Sequence, residues 1–580
     1  MDKVWRSRQS QNLSGAENQD QESFFQIPEI VKSLALSRGF KNKDQVQNWV
    51  NPKLQDLRDP QLLNGIDKAV DRLTLALKNQ ETIALYGDFD LDGTSALALL
   101  EKAFRAMGYL NLNIYQPTRL TEGYGFHVHA VESLKKLGVS VIVTADVGIT
   151  SIPAANKCKA LNIDLILTDH HLPLQELPEA YCIINPNQTE CSSQLGHLCG
   201  VGVAFYLVWA LRRKLITEKL LTESQLNLKD LLDCFVIGTL TDMVPLIDEN
   251  RVLVKHGLNQ LSHTKHIGIR LLLEKLNLWG RELSSQDVAI RFAPKLNALS
   301  RMELDIRPLD LFTVKTEEEA ERLVTKVMAQ NEMRVSLQAE AEAFALAEAQ
   351  KWVNEPFTFI CHESFHRGVI GLVATKLAQV FKKPSFVGSI GEGGEGIVVG
   401  SCRAPNESTC NLVLALEYAN SYLHRFGGHA HAAGFEFHID QKDLISEKFK
   451  NYFMDSEKQK IASEIWFDGY LELSEINNSA MQWLQAMGPF GQGFESPLFC
   501  FEKIEVFQIK NLKGGHKRLT LKDRTTENKI DGLLFSPTEE QLKMVQEKQI
   551  ISLLAEPQWN YFQMKKSVQL LIKEIKNAQD

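Results

Sequence analysis

Three aspartates fall within five residues of the segment GDFDLDG, at Asp88, Asp90 and Asp92. Carboxylates this close repel one another, and a bound cation is the usual reason for a protein to keep them together. Further acidic and imidazole side chains end three other apolar runs. Asp146 ends VIVTAD, Asp169, His170 and His171 end LILTDHH, and Asp242 ends FVIGTLTD.

The apolar runs before these residues must position them. TIALYG and VSVIVTA have the composition of strands, and each precedes a helical pattern. This alternation predicts a mostly parallel sheet with helices on both faces. The carboxyl ends of parallel strands face one crevice, so the acidic residues are expected to meet there. The run before Asp242 is ambiguous between a strand and a helix followed by a turn.

Clustered carboxylates with one or two imidazoles suit Mn²⁺ or Mg²⁺ better than the thiolate-rich sites of zinc. Several carboxylates, some able to bridge, indicate two metal ions, the arrangement that hydrolyses phosphate esters. Taken singly, each aspartate could instead cap a helix N-terminus. Four acidic ends together favour the metal centre.

The bulk composition restricts the class of protein. A chain of 580 residues exceeds one hydrophobic core, so three or four domains are expected. The net charge of −8 argues against attraction of the whole surface to nucleic acid or to anionic membrane. We find no apolar run long enough for a membrane span and no secretion signal. Nine scattered cysteines without a Cys-x-x-Cys pair suit reduced thiols. These features predict a cytoplasmic protein.

Sequence patterns predict five segments. Residues 1–27 read as a disordered polar arm, 28–255 as N-terminal helices with the catalytic α/β domain, and 256–353 as a helical connector. The connector ends in a long helix, because residues 316–353 contain no Gly or Pro and Thr316 with Glu319 forms a capping-box pattern. Residues 354–455 form a second α/β domain, and the short strands of 456–580 suit a barrel of the OB type.

Several motifs carry a family resemblance. GDFDLDGTSA, TADVGI, TDHH and IGTLTDMVPLIDENR resemble the four successive motifs of the DHH phosphoesterase superfamily, and FHRGVIGLVATKL, GSCR and FGGHAHAAGF resemble its DHHA1 region. MGPFGQGFESPLF and GGHKRLTLKD resemble the OB-type domain of the bacterial single-strand exonucleases of this superfamily. The resemblance implies an α/β fold, in which a long helix joins a DHH parallel-sheet lobe to a DHHA1 α/β lobe, followed by an OB-type β-barrel.

The resemblance also implies the roles of the acidic cluster. The metal ligands would be Asp90, Asp92, Asp146, His170 and Asp242, with Asp92 and Asp146 bridging two ions. Asp88 and His171 are the further catalytic candidates: Asp88 as an outer or alternate ligand, and His171 directed toward the scissile phosphate. Asp169 is a candidate hydrogen-bond partner of an imidazole, or a local cap.

Substrate-binding residues follow from the same resemblance. The 5′-phosphate would be held by Arg119, Tyr124, Arg301, Ser401 and Arg403, and His429 would contact the substrate, with His431 incidental. Basic residues of the last domain, Lys517 and Arg518 with their neighbours Lys510, Lys513 and Lys522, would contact DNA. Each assignment has a structural alternative. The arginines could be solvated or paired with carboxylates, the glycine-rich segment around His429 could be a tight turn, and the basic stretch could be a solvated hairpin.

Three departures from the family pattern are expected to tune the enzyme. Val147 stands where the family usually has Asn, and Ser300 where it usually has Gly. Phe494 and Glu495 fall within a segment that usually reads Gly-Asn-Pro. The expected ligand positions are all intact.

The implied function is a metal-dependent, single-stranded-DNA-specific 5′-to-3′ exonuclease that uses two Mn²⁺ or Mg²⁺ ions, releases 5′-mononucleotides, and acts in DNA repair and recombination. Candidate partners are a single-strand-binding protein and a helicase, and a monomer without membrane association is expected. One alternative is a DHH phosphodiesterase for short oligonucleotides or cyclic dinucleotides, which the strand-binding domain disfavours. Another is a non-catalytic DNA-binding replisome scaffold, which the intact acidic set disfavours.

Overall fold

The strands belong to four sheets. The computed structural model describes residues 4–9, 27–119, 121–302, 306–391, 396–405, 408–454, 464–524, 526–562 and 565–578. In chain order the strands β1 to β18 are Val4–Ser7, Ile83–Gly87, Leu112–Tyr115, Val141–Ala145, Asp164–Thr168, Cys182–Ile184, Thr358–His362, Ser385–Ile390, Ile397–Arg403, Arg425–His429, Ala432–His438, Glu464–Phe467, Gly469–Tyr470, Phe499–Asn511, Lys517–Lys522, Lys529–Leu534, Ile550–Phe562 and Lys565–Asn577.

The helices lie between and around these strands. In chain order the helices α1 to α18 are Glu29–Ser37, Lys43–Val50, Ile66–Lys78, Leu91–Ala106, Val128–Lys136, Ile152–Ala160, Gly200–Thr217, Leu232–Asp242, Asp248–Leu261, Ile267–Lys275, Ala293–Arg301, Pro308–Thr313, Glu317–Ala349, Ile370–Phe381, Leu412–Tyr418, Lys442–Phe453, Asn478–Met487 and Glu539–Met544. A π-helical turn, Asp287–Phe292, precedes α11. Among the described helices, none has both the length and the apolar character that a bilayer span requires.

The chain divides into two compact units. One consists of residues 60–242 and 259–462, and the other of residues 1–59, 243–258 and 463–580. The larger unit contains all the residues predicted to bind metal or the 5′-phosphate.

A parallel sheet of five strands organises the first part of the larger unit. Its order is β3-β2-β4-β5-β6, and each pairing is parallel, as predicted. Strands β2 and β4 are buried throughout, which explains their continuous apolar runs. The ambiguous run before Asp242 is helix α8 and not a strand. Three strand ends and one helix end therefore carry the acidic residues.

The predicted long helix is α13, which has 33 residues and is about 50 Å long. The Thr316 side chain caps its N-terminus by accepting a hydrogen bond from Glu319 N. The first half of α13 packs on α10 and α11. Ala341, Ala345 and Ala349 of its second half enter a hydrophobic core with α14 and β7. The helix thus joins the two α/β lobes of this unit, as expected.

A mixed sheet forms the second lobe of the larger unit. Its order is β10-β11-β9-β8-β7, with only the β7–β8 pairing parallel. Strands β10 and β11 form a hairpin in which His429 pairs with Ala432. His431 lies in the two-residue turn between them.

The smaller unit contains the predicted OB-type barrel. Strands β14, β15, β16, β18 and β17 follow one another, and a β14–β17 pairing closes the barrel. In addition β1 pairs with β12, so residues 4–7 form a strand where the sequence predicted a disordered arm. The rest of that predicted arm, apart from residues 8, 9 and 27, lies outside the described residues.

Candidate active site

The triple-aspartate segment turns directly from β2 into α4. Asp90 caps α4, because its carboxylate accepts hydrogen bonds from Asp92 N at 2.9 Å and Gly93 N at 3.0 Å. A Cβ on Gly93 would lie 2.6 Å from Asp88 N, so the turn requires glycine. The Oδ1 atom of Asp88 is buried and has no hydrogen-bond partner among the described residues. The capping interpretation is therefore right for Asp90, and Asp88 is left with an oxygen directed at no protein donor.

The N-terminus of α7 fixes the Asp92 carboxylate. Gly200 N donates to Asp92 Oδ2 at 2.6 Å, and Val201 N donates to Oδ1 at 2.9 Å. A Cβ on Gly200 would lie 2.3 Å from Cβ of Asp146. Only glycine allows α7 to approach both acidic side chains. The helix dipole also stabilises negative charge at this position.

Asp146 lies immediately after β4 in a left-handed backbone conformation, with φ of +63°. This conformation is unfavourable for a non-glycine residue and is typical of functional sites. The Oδ1 atom of Asp146 is buried without a hydrogen-bond partner in the described chain and lies 3.2 Å from His170 Nε2. The backbone thus holds this carboxylate in the crevice at the end of the sheet.

The Asp-His-His segment is built around Asp169. Its Oδ1 atom accepts hydrogen bonds from His170 N at 2.7 Å and His171 N at 3.1 Å, and lies 2.8 Å from His171 Nδ1. Asp169 is therefore both a local cap and the partner of the His171 ring. Asn185 and Asn187 donate to the backbone carbonyls of His171 and His170, at 2.9 and 2.5 Å.

The His170 ring hydrogen-bonds to the backbone of Leu198, and its Nε2 atom is buried and has no hydrogen bond to the residues that the structure describes. This atom lies 3.2 Å from Asp146, 3.6 Å from Asp242 and 4.0 Å from Asp92. The imidazole nitrogen is thus surrounded by carboxylate oxygens.

The donor atoms of these segments converge. Three overlapping sets have donor atoms within 4.8 Å of one another: Asp92, His170 and Asp242; Asp146, His170 and His171; and Asp88, Asp90 and Asp146. Buried carboxylate oxygens that lack hydrogen-bond donors and lie this close together are the arrangement expected around bound cations. The residues fit Mn²⁺ or Mg²⁺, since the donors are carboxylate oxygens and imidazole nitrogens.

The pKa shifts express the same crowding. Burial, then the neighbouring charge of Asp90, raises the pKa of Asp88 to about 8 and that of Asp242 to about 6. Burial first, and then other carboxylates, also raises the pKa of Asp92 and Asp146. Without a cation, this cluster disfavours its own ionisation.

The two histidines differ in charge. Burial, then the positive charges of His171 and His429, lowers the pKa of His170 to about 4. Burial also opposes protonation of His171, but the hydrogen bond and charge of Asp169, with Asp242 and Asp90, raise the pKa of its ring to about 9. A neutral His170 suits a metal ligand, and a charged His171 suits contact with an anion.

The predicted phosphate-binding residues lie beside this cluster. Arg403 Nη1 donates to Ser401 Oγ and to the Cys402 carbonyl, each at 2.8 Å. Arg301 Nη1 donates to the Gly368 carbonyl at 3.1 Å, and Arg119 lies 5.1 Å from the centre of the Phe89 ring. Burial, then the charges of Arg119, Arg334 and Arg403, lowers the pKa of Arg301 to about 9. Arg119, Arg301 and Arg403 thus form one cationic group, which we call the arginine cluster.

Two further predicted residues also lie near the acidic cluster. The Tyr124 hydroxyl is 3.3 Å from Nδ1 of His171. His429 is exposed at the end of β10, and its charge acts on His170.

The basic residues of the smaller unit that were predicted to contact DNA are partly engaged by other side chains. Lys517 donates to Asn511, Arg518 pairs with Asp531, and Lys522 pairs with Glu527.

The departures from the family pattern are accommodated outside the ligand set. Val147 is fully buried in the hydrophobic core beneath the sheet. Ser300 bonds within its own helix, to the carbonyl of Asn297 at 3.2 Å. In the smaller unit, Phe494 packs on Trp49 with ring centres 4.5 Å apart, and Glu495 pairs with Arg38 at 3.0 Å.

Comparisons with known proteins agree with this architecture. Residues 82–239 match the family model of the DHH family N-terminal domain, residues 349–455 that of the DHHA1 domain, and residues 467–574 that of the RecJ OB domain. Fold and site together define a phosphoesterase of the DHH class.

Individual relatives narrow that class. The chain is 31% identical to the single-stranded-DNA-specific exonuclease RecJ of Dickeya dadantii, over 95% of this chain and 96% of the relative. The chain belongs to the RecJ family. A structure of exonuclease RecJ bound to manganese is 29% identical, with a TM-score of 0.58, and the match covers 68% of this chain and 95% of that one. The RecJ structure from Thermus thermophilus with Mn²⁺ has the same fold, with a TM-score of 0.79 at 22% identity, over 100% of this chain and 80% of that one.

Several residues that support the site were not predicted from the sequence. Gly200 and Val201 bind Asp92, Asn185 and Asn187 hold the His-His backbone, and the charge of Arg334 acts on Arg301 of the arginine cluster. The glycine pair of LCGVG is the only one of these with a recognisable signal, since small residues at a helix start allow close approach.

Proposed function

We propose that this chain is a metal-dependent exonuclease that removes 5′-mononucleotides from the 5′ end of single-stranded DNA. The observation that carries the proposal is the convergence of Asp88 Oδ1, Asp146 Oδ1 and His170 Nε2, all buried and without a hydrogen-bond partner among the described residues, beside the arginine cluster. Asp90, Asp92, Asp146, His170 and Asp242 are the proposed ligands. The family membership and the manganese bound by a relative support the same assignment.

Two divalent cations would supply a nucleophilic hydroxide near neutral pH and stabilise charge on the scissile phosphate and on the leaving oxygen. The protein's part is to hold these ligands. Asp92 is fixed by the α7 N-terminus and Asp146 by its backbone conformation. Both would therefore be held in place to act as ligands shared by the two ions. Asp88 is placed as an outer or alternate ligand.

His171 is proposed to bind the scissile phosphate. Its Nδ1 is held by Asp169 at 2.8 Å, which leaves Nε2 for a substrate oxygen. The hydrogen bond and the charge of Asp169 raise the pKa of this ring, which favours its protonated form. It therefore neutralises charge that develops on the phosphate oxygens.

The arginine cluster is proposed to hold the 5′-phosphate. Arg403, Arg301 and Arg119 offer planar guanidinium donors that match phosphate oxygens, and Ser401 offers a hydroxyl donor. Tyr124 and His429 are proposed to flank the scissile bond. Cleavage at the first phosphodiester bond leaves a new 5′-phosphate on the shortened strand. The same pocket can then bind the next end, so removal continues from the 5′ terminus.

The OB-type barrel is proposed to bind the single strand away from the cleavage site. Lys517 and Arg518 are proposed to contact the phosphate backbone without reading sequence. A single-strand-binding protein and a helicase are proposed partners that supply single strands in DNA repair and recombination, with the enzyme acting as a cytoplasmic monomer.

Release of nucleotides from a long, 5′-phosphorylated single strand tests the proposal. With Mn²⁺ present, we expect acid-soluble 5′-mononucleotides, and Asp146→Asn should reduce the rate by at least about a thousandfold, since it removes a ligand from both ion sites. Asp67→Asn, which alters an exposed carboxylate of α3, is the matched control and should retain activity. Release of internal fragments, or hydrolysis confined to cyclic dinucleotides, would contradict the proposal.

A further inference from the structure

Three side chains of different ligand types meet outside the proposed active site. The ligand atoms of Asp233, Cys234 and His266 all lie within 4.8 Å of one another. Asp233 and Cys234 are buried at the start of α8, and His266 directly precedes α10. Since α8 ends at Asp242, this group lies about 14 Å along the helix from the proposed metal centre. We call it the Asp-Cys-His cluster.

The distances within the Asp-Cys-His cluster are close to those between the ligands of a zinc ion. His266 Nε2 lies 3.6 Å from Cys234 Sγ and 3.7 Å from Asp233 Oδ2. Around a tetrahedral zinc ion, neighbouring ligand atoms are about 3.4–3.6 Å apart, because the bonds to sulfur, nitrogen and oxygen are about 2.0–2.3 Å long. A thiolate ligand selects zinc over Mn²⁺ or Mg²⁺, which prefer oxygen.

The hydrogen bonds of the His266 ring show which nitrogen carries a lone pair. Nδ1 lies 2.6 Å from the backbone carbonyl of Phe312 on α12, and a carbonyl can only accept, so Nδ1 holds the ring proton. Lys102 Nζ, which can only donate, lies 3.2 Å from Nε2. Nε2 therefore directs a lone pair into the Asp-Cys-His cluster. Imidazole ligands of metals are commonly oriented by such a hydrogen bond to a carbonyl.

The carboxylate of Asp233 is also held in position. Its Oδ2 atom accepts a hydrogen bond from Thr264 Oγ1 at 2.7 Å, and its Oδ1 atom accepts one from Cys234 N at 2.9 Å. Hydrogen bonds of this kind orient carboxylates that bind metals. Two of the three ligands are thus fixed by neighbouring groups before any ion binds.

A positive charge already lies against the same ligands. Lys102 Nζ on α4 is 3.9 Å from Asp233 Oδ1, in addition to its contact with His266, and it donates to the Asp230 carbonyl at 2.6 Å. The Lys102 side chain is 27% exposed, whereas that of Asp233 is 2% exposed. The long, flexible stem lets the ammonium rotate toward solvent, which opens a path for an ion.

We infer that the Asp-Cys-His cluster is a zinc site, at which Zn²⁺ displaces the Lys102 ammonium. The ion binds Cys234 Sγ as a thiolate, His266 Nε2 and the Asp233 carboxylate, and water completes the tetrahedron. The thiol proton leaves to solvent, and the thiolate and carboxylate together balance the charge of the ion. The ion links α8 to the residues before α10 and takes no part in hydrolysis, so this inference does not depend on the proposed function.

Titration of the full-length protein with Co²⁺ tests the site, because Co²⁺ replaces zinc and gives a sulfur-to-cobalt charge-transfer absorption only when a thiolate binds it. Saturating Mn²⁺ is present throughout, and the proposed ligands of the acidic cluster include no cysteine. We expect one equivalent of Co²⁺ to saturate this absorption and one equivalent of Zn²⁺ to abolish it. Lys102→Met should tighten Co²⁺ binding at least about tenfold, because the competing ammonium is removed.

Cys234→Ser should remove the charge-transfer absorption. Cys361→Ser is the matched control, since Cys361 is a half-buried thiol on β7, and it should keep the absorption. The inference is overturned if the unaltered protein shows no such absorption, or if Cys234→Ser retains it. Loss of the absorption in Cys199→Ser instead would also overturn it, by placing the ion at the start of α7. Unchanged or weaker Co²⁺ binding by Lys102→Met would contradict displacement of the ammonium.

Discussion

Gly200 N donates a hydrogen bond of 2.6 Å to Asp92 Oδ2, and this contact joins residues 108 positions apart. The same glycine leaves no room for a side chain, because a Cβ would lie 2.3 Å from Cβ of Asp146. The start of α7 therefore sets the positions of both proposed bridging carboxylates.

Gly200→Ala should displace these two carboxylates. We expect Mn²⁺ affinity to fall at least about tenfold, as for changes to groups that orient metal ligands, and the free energy of unfolding to fall by about 1–3 kcal/mol from overpacking. Calorimetric titration with Mn²⁺ and thermal unfolding measure the two effects. Gly434→Ala is the control, since its Cβ would meet only the Gly400 carbonyl at 3.7 Å. Unchanged affinity in Gly200→Ala would show that the contact does not position the ligands.

Removing a carboxylate from the acidic cluster should stabilise the metal-free protein. The pKa of Asp242 is about 6, against an ordinary value of 3.8. An acid whose pKa rises on folding loses its proton first in the unfolded chain, so stability falls as pH rises between those values. Asp242→Asn removes this loss, which is on the order of 3 kcal/mol.

In EDTA, the unfolding midpoint of Asp242→Asn relative to the unaltered protein should therefore increase between pH 4 and pH 7. Saturating Mn²⁺ should reverse the difference at pH 7, because the carboxylate is then a ligand. Asp67→Asn should show neither trend. A difference that is constant with pH, or that decreases, would mean that folding does not raise the pKa of Asp242.

Parts of this site follow from the sequence. Asp88 and Asp146 come directly after β2 and β4, and His170 is the second residue after β5, so the rule for parallel strand ends predicts that they meet. Asp242 ends a helix, and its approach depends on the packing of α8. The sequence does not show which imidazole ring hydrogen-bonds to Asp169, because this depends on how the two rings turn. It also does not show that Gly200 contacts Asp92, because this depends on how α7 packs against the acidic cluster. The OB-type barrel was predictable because its strand patterns and turns are local features, although β14, β17 and β18 have 13 residues each and are longer than the short strands predicted.

Arg403→Ala should weaken the preference for phosphorylated ends. We expect the ratio of kcat/KM values for 5′-phosphate and 5′-hydroxyl strands to fall about tenfold or more, because a charge-assisted pair with phosphate is lost. Activity on the hydroxyl strand should persist. Arg322→Ala is the control, because Arg322 is an exposed residue of α13 that pairs with Glu318. It should leave the ratio of the two kcat/KM values unchanged. If Arg403→Ala retained the full ratio, the 5′-phosphate would have to bind elsewhere.

The OB-type barrel should contribute salt-sensitive binding through Lys517. Among the described residues, the Lys517 side chain hydrogen-bonds only to the neutral Asn511, whereas Lys522 is paired with Glu527. Lys517→Ala should reduce the slope of log K against log salt by about 0.7, the value for one phosphate contact on a single strand. Lys522→Ala should leave the slope nearly unchanged. Equal slopes for all three proteins would exclude Lys517 from the DNA-binding surface.

Anomalous diffraction at the manganese edge, from crystals grown with Mn²⁺, shows whether the acidic cluster holds two cations. We expect two peaks about 3.5–4 Å apart, surrounded by Asp90, Asp92, Asp146, His170 and Asp242, with Asp92 and Asp146 between them. An absence of peaks among these residues at saturating Mn²⁺, or their carboxylates turned away from one another, would contradict this expectation.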